Sequence, residues 1–572
     1  MFDLMRAGPN RRRGVRLALL LGAAAALVLV FAAAGRSTSA AGGGTLTFLS
    51  STDVGSLDPG RVCAEFDYMV VAPVSRSVFY YKPGSLTETP DLASGPAKIS
   101  NGGKTITIHI RPNVHYAPPV NRAVTSQDIR YGIERLFTKN VASCYATIYF
   151  GDLVDAPTNY GPYRQIKGIE TPNKTTIVFH LKHPTSAGFL GALAMPGAVA
   201  VPKEYAQKFD KNNPSTYEQH VAATGPYMNK SYKPGVSIVM VRNPNWNPKT
   251  DFRPAKLDQI TISEGNSDLS IAAQRALNGT SLACCDQSLP GPVLKTASQK
   301  GSQFHSQSAG GVYFMTLNYK FKPLDNVNVR KALSAIMDRN SFLLTLGGKF
   351  AADPATGFIP KGVPGWTPTE GSQFDFVKNL NGDAAVAKKY MLLAKKQGVP
   401  VNGDGKYTGN ANLTVMGINT DPASKAPLLV QSALGQLGIK STVKLVSNEA
   451  YNSKLCYFTN LVPAICSWNS CYKDFPDEIG IDSIFAKSAG LAGVAIPDPK
   501  IQAAVNQAID TPAGPQRNAA WQHVDGLVTA TAKSIPFAFV KTTTVTSKNV
   551  VGAQLNPLYS GAGFDLTYAS LK

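Results

Sequence analysis

Apolar and polar residues alternate with a period of two over residues 45–49, 105–110, 176–181, 236–242, 413–418 and 439–445, the pattern of strands with one buried face. Helical spacing takes over in 128–137, where Thr125 or Ser126 can cap the amino end, in 383–398, which closes on a glycine, and in 427–437. Residues 310–339 combine the two patterns. Val312, Tyr313, Phe314, Met315 and Leu317 read as a strand, and after a polar break Val329, Leu333, Ile336 and Met337 recur at helical spacing. Arg330, Lys331 and Arg339 fall on the other faces of that helix. Residues 466–478, CSWNSCYKDFPDE, are read as a loop, and 536–540 as a last strand. Beyond residue 310 strand and helix alternate, which predicts an α/β lobe.

The first 41 residues follow a different rule. Residues 17–34 are an unbroken apolar run of 18, preceded by Arg11, Arg12, Arg13 and Arg16 and followed by small residues as far as Gly44. A basic start, an apolar middle and a small-residue tail describe a secretory signal, and a cut after Ala40 would leave Thr38 and Ala40 at the small-residue positions. The run is also long enough to span a bilayer uncleaved. Arginines on its amino side keep that end in the cytoplasm and send the body out. Residues 1–41 are therefore a signal peptide or a signal anchor, and the body is expected in the periplasmic space or at the cell surface, secreted or membrane-anchored.

Composition narrows the class. With 572 residues, 44% of them hydrophobic and 16% charged, the chain is globular and too long for one core. Six arginines and one aspartate in residues 1–40 account for +5 of the net charge of +20, leaving +15 on the exported body. Such a charge suits an anionic envelope surface. The basic residues are scattered and match no nucleic-acid motif, so nucleic-acid binding is not expected. Outside the cytosol the seven cysteines, at 63, 144, 284, 285, 456, 466 and 471, are expected to pair rather than stay free. Cys466 can pair with Cys471, or one of the two with Cys456, and an odd count leaves one thiol over. Cys284-Cys285 lacks metal-site spacing, and His180 and His183 do not share a helical face, so no metal or other cofactor is expected.

Several short segments carry more specific information. Ser56-Leu57-Asp58-Pro59 follows the first strand; residues 98–137 read KISNGGKTITIHIRPNVHYAPPVNRAVTSQDIRYGIERLF; Thr224-Gly225-Pro226-Tyr227 leads into a strand and then Asn243-Pro244-Asn245-Trp246; and Leu277-Asn278-Gly279 ends a helix on the glycine. With VRKALSAIMDR at 329–339, these landmarks, in this order over 45–572, closely resemble the family 5 extracytoplasmic solute-binding proteins of ABC importers, the peptide- and nickel-binding group. The resemblance implies a two-lobed, hinged α/β fold of the type II periplasmic-binding-protein kind, with an additional α/β domain on the first lobe. Its expected segments are 42–80 (lobe I), 81–165 (extra domain), 166–305 (lobe I), 306–535 (second lobe) and 536–572 (return to lobe I). It further implies capture of a peptide between the lobes and delivery to a membrane permease powered by a separate ATPase, the binding protein acting as a monomer. Relatives also take nickel chelates, sugars and other solutes. Gram-positive members commonly carry a lipid-bearing Cys directly after the apolar run; here the first is Cys63, which argues against a lipid anchor.

The resemblance also nominates contacts. Peptide binders of the family place an Asp after a Trp to pair with the peptide's α-ammonium, and an unpaired buried charge would cost several kcal/mol. After Trp468 the best match is Asp474, followed by Phe475, with Asp477 as the alternative; loop carboxylates of this kind also serve as helix caps. Tyr313 and Trp468 are candidates to stack on the ligand, although buried aromatics are core residues by default. Asp53 and Val54 can offer backbone groups to an extended peptide. Catalytic motifs of the G-x-S-x-G, H-E-x-x-H and P-loop kinds do not occur. The competing classes are an extracytoplasmic hydrolase, such as a peptidase or cell-wall enzyme, and a surface protein that binds polyanions.

Overall fold

A computed structural model describes residues 43–572 apart from 369–370, 372, 457–460, 476–497 and 557–562. The apolar leader and Asp477 lie outside the described residues. Among these residues no helix is long and apolar enough to cross a membrane.

Four of the six alternating segments, 45–49, 236–242, 413–418 and 439–445, meet in an 11-stranded sheet. One half centres on β1 (Thr45–Leu49), with Gln259–Ser263 and Leu282–Cys284 as parallel neighbours and Ser237–Arg242 and Tyr227–Lys233 outermost. The other half rests on β2 (Phe304–Leu317), β3 (Ile465–Tyr472) and β4 (Ser534–Thr546). Between them, β3 pairs with β2 on one side and with Asn412–Ile418 on the other, which in turn pairs with Lys440–Val446. Each half has its own apolar core. Leu46, Phe48, Ile260 and Ile262 belong to the first, joined by Phe66 of helix α1 (Glu65–Val71). Met315, Val329, Ile465 and Phe537 belong to the second.

Among the described residues, β2 and β4 are the strands that serve both lobes. Their antiparallel ladder runs from Phe304↔Val545 to Ser308↔Lys541, breaks, and resumes at Val312↔Phe539. At the break Ala309, Gly310 and Gly311 face only Val540, a bulge. Gly310 sits there at φ +67, a conformation that side chains with a Cβ resist. A discontinuous ladder at the level where both strands cross gives the lobes a place to bend. The crossing lies at 308–312 and 540–541, a few residues after each of the boundaries expected at 305 and 535.

The extra domain is an antiparallel sheet in the order Lys98–Ser100, Thr105–His109, Thr176–His180, Ile169–Asn173, covered by helix α2 (Ser126–Arg135). Its expected end at 165 is corrected by strand pairing, since Thr105–His109 has residues 176–180 as its partner. Thr125 caps α2 and Asp128 returns a bond to the Thr125 N–H at 2.8 Å, a reciprocal capping box.

The sequence landmarks have structural tasks. Arg135, at the end of α2, donates to both carboxylate oxygens of Asp58 in the S-L-D-P turn at 2.7 Å each, and to Asp210 at 2.8 and 2.5 Å. A Cβ on Gly225 of the T-G-P-Y turn would stand 2.3 Å from the Pro73 carbonyl oxygen. Gly279 closes its helix at φ −88, so what calls for glycine is crowding: a Cβ would lie 2.6 Å from the Arg275 carbonyl oxygen. Arg339 departs from the expected pattern. Its helix, Val327–Ile336, has already ended, and Asp338 caps the next one. The fully buried Arg339 guanidinium donates to the carbonyls of Ser334 and Pro536, at 3.1 and 3.2 Å.

Trp246 of the N-P-N-W landmark donates to Asp251 at 2.9 Å, inside a buried cluster with Arg253, Arg76 and Asp91. Burial pushes the Asp251 carboxyl up, yet Arg253 and Arg76 hold it down at about 2 against an ordinary value of 3.8. The stability it contributes, about 2 kcal/mol, is therefore complete above about pH 4 and lost as the pH falls toward 2. Urea unfolding between about pH 5 and pH 2.5 should show this acid loss, and Asp251→Asn should flatten that part of the profile. An unchanged profile in the variant would remove Asp251 from the acid response.

Disulfides join Cys63 to Cys144, Cys284 to Cys285 and Cys456 to Cys466. Cys466 and Cys471 cannot join each other. Both lie in β3, about 17 Å apart along an extended strand, beyond disulfide reach.

Candidate functional site

A cavity of about 1130 Å³ opens between the lobes. Its first-lobe wall is the turn that leaves β1. Asp286, which follows Cys285, accepts from the Ser51 and Thr52 N–H groups at 2.6 and 3.0 Å and from the Thr52 hydroxyl at 2.5 Å. The Val54 N–H donates to Glu264 at 2.7 Å and the Gly55 N–H to Asp67 at 2.9 Å. Side-chain carboxylates thus fix the loop as a rigid shelf. The amide of Val54, expected to serve a ligand, is already committed, and its side chain is buried. Asp53, exposed between these anchors, does face the cavity.

Helix α1 supplies the rest of that wall. Its N-cap, Ala64, has no side-chain bond to give, and Glu65 and Asp67 place two carboxylates in the first turn, where the helix dipole favours negative charge. Both line the cavity.

The second-lobe wall corrects the expectation of a loop. Residues 465–472 are β3, an inner strand with neighbours on both sides. Two of its polar residues are buried and bond to the flanking strands: Ser467 donates to the Met416 carbonyl at 2.8 Å and the Asn469 amide to the Thr316 hydroxyl at 2.7 Å. Trp468 and Tyr472 share a face of the strand, and Tyr313 of β2 stands between them. The Tyr313 ring lies 4.7 Å from Trp468 and 6.4 Å, edge to face, from Tyr472, and the two phenols are 3.2 Å apart. All three line the cavity. Tyr472 was not foreseen, although a period-two reading from Trp468 would have found it.

Past β3 the chain leaves the cavity. Phe475, nominated as a contact, is buried in the first-lobe core, 6.0 Å from the Tyr149 ring and against Gly191, where a Cβ would come within 2.3 Å of it. Asp474 is half-buried beside Tyr149 and is not part of the cavity lining. Burial raises its carboxyl above the ordinary range, with Tyr149 and Lys473 opposing. Burial likewise lowers the Lys473 ammonium to about 8, against the pull of Asp474 and Glu65. Glu65 sits between this group and the cavity. Its carboxyl is pushed up to about 7, first by burial and then by Asp474 and Asp67.

The cavity is therefore acidic and aromatic. Among the described residues Asp53, Glu65, Asp67, Asp286 and Asp421 line it, against the single ammonium of Lys425. In a chain whose body carries +15, this contrast favours a guest with positive charge and flat or apolar parts.

The profile of the bacterial extracellular solute-binding proteins, family 5 (middle), matches residues 87–474. The oligopeptide-binding protein OppA of Bacillus subtilis is 27% identical over 304 residues, covering 52% of this chain and 53% of its own. Di/tripeptide-binding protein 3 of Pseudomonas aeruginosa is 26% identical over 372 residues, 62% of this chain and 64% of its own. The matched part thus spans between half and two thirds of these relatives. Among solved structures, a clavulanic acid biosynthesis oligopeptide binding protein superposes with a TM-score of 0.79 at 23% identity, covering 93% of this chain and 96% of that one. The periplasmic binding protein DppA from Helicobacter pylori, in complex with the peptide STSA, gives 0.69 at 19% identity, covering 93% and 98%.

Proposed function

As the chain belongs to the bacterial extracellular solute-binding proteins, family 5, we propose that it captures peptides in the cleft between its lobes and hands them to the permease of an ABC importer. The observation that carries this reading is the 1130 Å³ cavity walled by the carboxylates of one lobe and the aromatic trio of the other. A cavity of that size exceeds the range of drug-sized pockets and suits a short peptide. Carboxylates at the first-lobe wall can pair with an α-ammonium, while Tyr313, Trp468 and Tyr472 offer ring faces to backbone and side chains. Closure about the bulge in β2 would enclose the guest, shifting the population toward the form the permease accepts.

The family works outside the cytoplasm, which agrees with export directed by residues 1–41; whether that segment is cleaved or retained as an anchor belongs to the proposal. A separate ATPase would supply energy, and the protein itself would leave the peptide unaltered.

Incubating the purified protein with a tripeptide library, followed by native mass spectrometry, should show stoichiometric retention of intact peptides. Release of shortened products would favour the hydrolase. Binding of anionic polymer alone, lost at high salt, would favour the polyanion-binding class.

A further inference from the structure

A peptide brings one α-ammonium, and the cavity offers two uncommitted carboxylates. Asp67 is held by the Gly55 N–H, Asp286 by the Ser51 and Thr52 groups, and Asp421 by Lys425 at 3.0 Å. Asp53 and Glu65 accept no hydrogen bond from another residue among the described residues. They stand on different elements, the turn after β1 and the amino end of α1. Behind Asp53 the buried Glu264 keeps one carboxylate oxygen without a partner, so the field on that side is more negative still. A guest with a single positive charge leaves one of the two acids unanswered, to stay ionised at a cost in a closing, desolvated cleft or to take up a proton and forgo the attraction that a second cation would bring.

We infer that the cavity selects peptides carrying a lysine or arginine side chain, with Asp53 and Glu65 dividing the α-ammonium and the side-chain cation between them. This rests on the peptide capture proposed above and names its substrate class. Glu65 adds a signature. The groups facing it are Asp67 and Tyr68 on its own helix, Tyr145 in the neighbouring domain, and Tyr472, Lys473 and Asp474 at the end of β3. In their company it is about half protonated near pH 7 when the cavity is empty. A cation arriving beside it favours the ionised form, so binding expels a proton. Affinity for basic peptides then rises with pH, by about tenfold between about pH 5.5 and pH 7, a range in which the peptide's own amines stay charged.

The test is calorimetric titration of the full exported chain with Ala-Lys-Ala, Ala-Ala-Ala and Ala-Glu-Ala, in two buffers of different ionisation enthalpy. Ala-Lys-Ala should bind at least tenfold more tightly than Ala-Ala-Ala, Ala-Glu-Ala more weakly than either, and proton release should accompany the first. Glu65→Gln should abolish the pH dependence and most of the preference; Asp53→Asn should reduce the preference and keep the pH dependence. Equal affinities for the three peptides would overturn the inference and leave peptide capture standing. Failure of all three to bind, with a folded protein by circular dichroism, would instead overturn the capture itself. A pH dependence that survives in Glu65→Gln would remove Glu65 from the site.

Discussion

Arg135→Met should lower the free energy of unfolding by about 3–5 kcal/mol, the usual cost of removing one partner from a buried ion pair. Arg135 and Asp58 are 1% and 0% exposed, and the guanidinium is shared with Asp210. The variant would leave two carboxylates without their cation, Asp58 at 0% exposure and Asp210 at 11%. Burial works against the Asp210 carboxylate, and Arg135 nonetheless keeps it below the ordinary range. The deficit should accordingly shrink in acid, as Asp210 takes up a proton. Urea denaturation at pH 7 measures it, and adding Asp58→Asn to the variant should recover part of the loss, because the two residues are coupled. A loss under about 1 kcal/mol would mean that water reaches the cluster and that the contact between the extra domain and the S-L-D-P turn is incidental.

Phe475→Ala should also cost about 3–5 kcal/mol. The ring is 4% exposed and fills a slot in the first-lobe core, so truncation leaves a cavity there. A ligand contact would behave in the opposite way, losing peptide affinity with little change in stability. Parallel unfolding and titration experiments on the one variant separate these outcomes. A stable protein with weakened binding would restore Phe475 to the site from which its packing against Tyr149 removes it.

Much of the fold can be read from local pattern, because local pattern is what fixes it. The reciprocal cap of Thr125 and Asp128, the alternation at 105–109 and the strand-to-helix passage after Gly310 depend on neighbours in sequence. The candidate site depends on partners hundreds of residues away. Asp286 is a loop acid in the sequence, and its meaning comes from Ser51, 235 positions earlier. Ser467 and Asn469 make 466–472 look like a loop, since the groups they donate to, the Met416 carbonyl and the Thr316 hydroxyl, belong to flanking strands. Reading that segment as irregular hid Tyr472 and carried Asp474 and Phe475 into a cleft that neither of them lines. Tyr313, Trp468 and Asp53 were accessible because they adjoin the landmarks themselves. Glu65 was not, as nothing local distinguishes an acid in a helix's first turn from an ordinary dipole partner.

The bulged ladder of β2 and β4 has a further consequence. The chain enters the second lobe and leaves it along adjacent paired strands, so the two ends of everything between them are only about 5 Å apart. Roughly residues 312 to 539 therefore form a cassette: a graft from a relative could replace it, or a short linker could close the gap it leaves, without rethreading the rest of the chain.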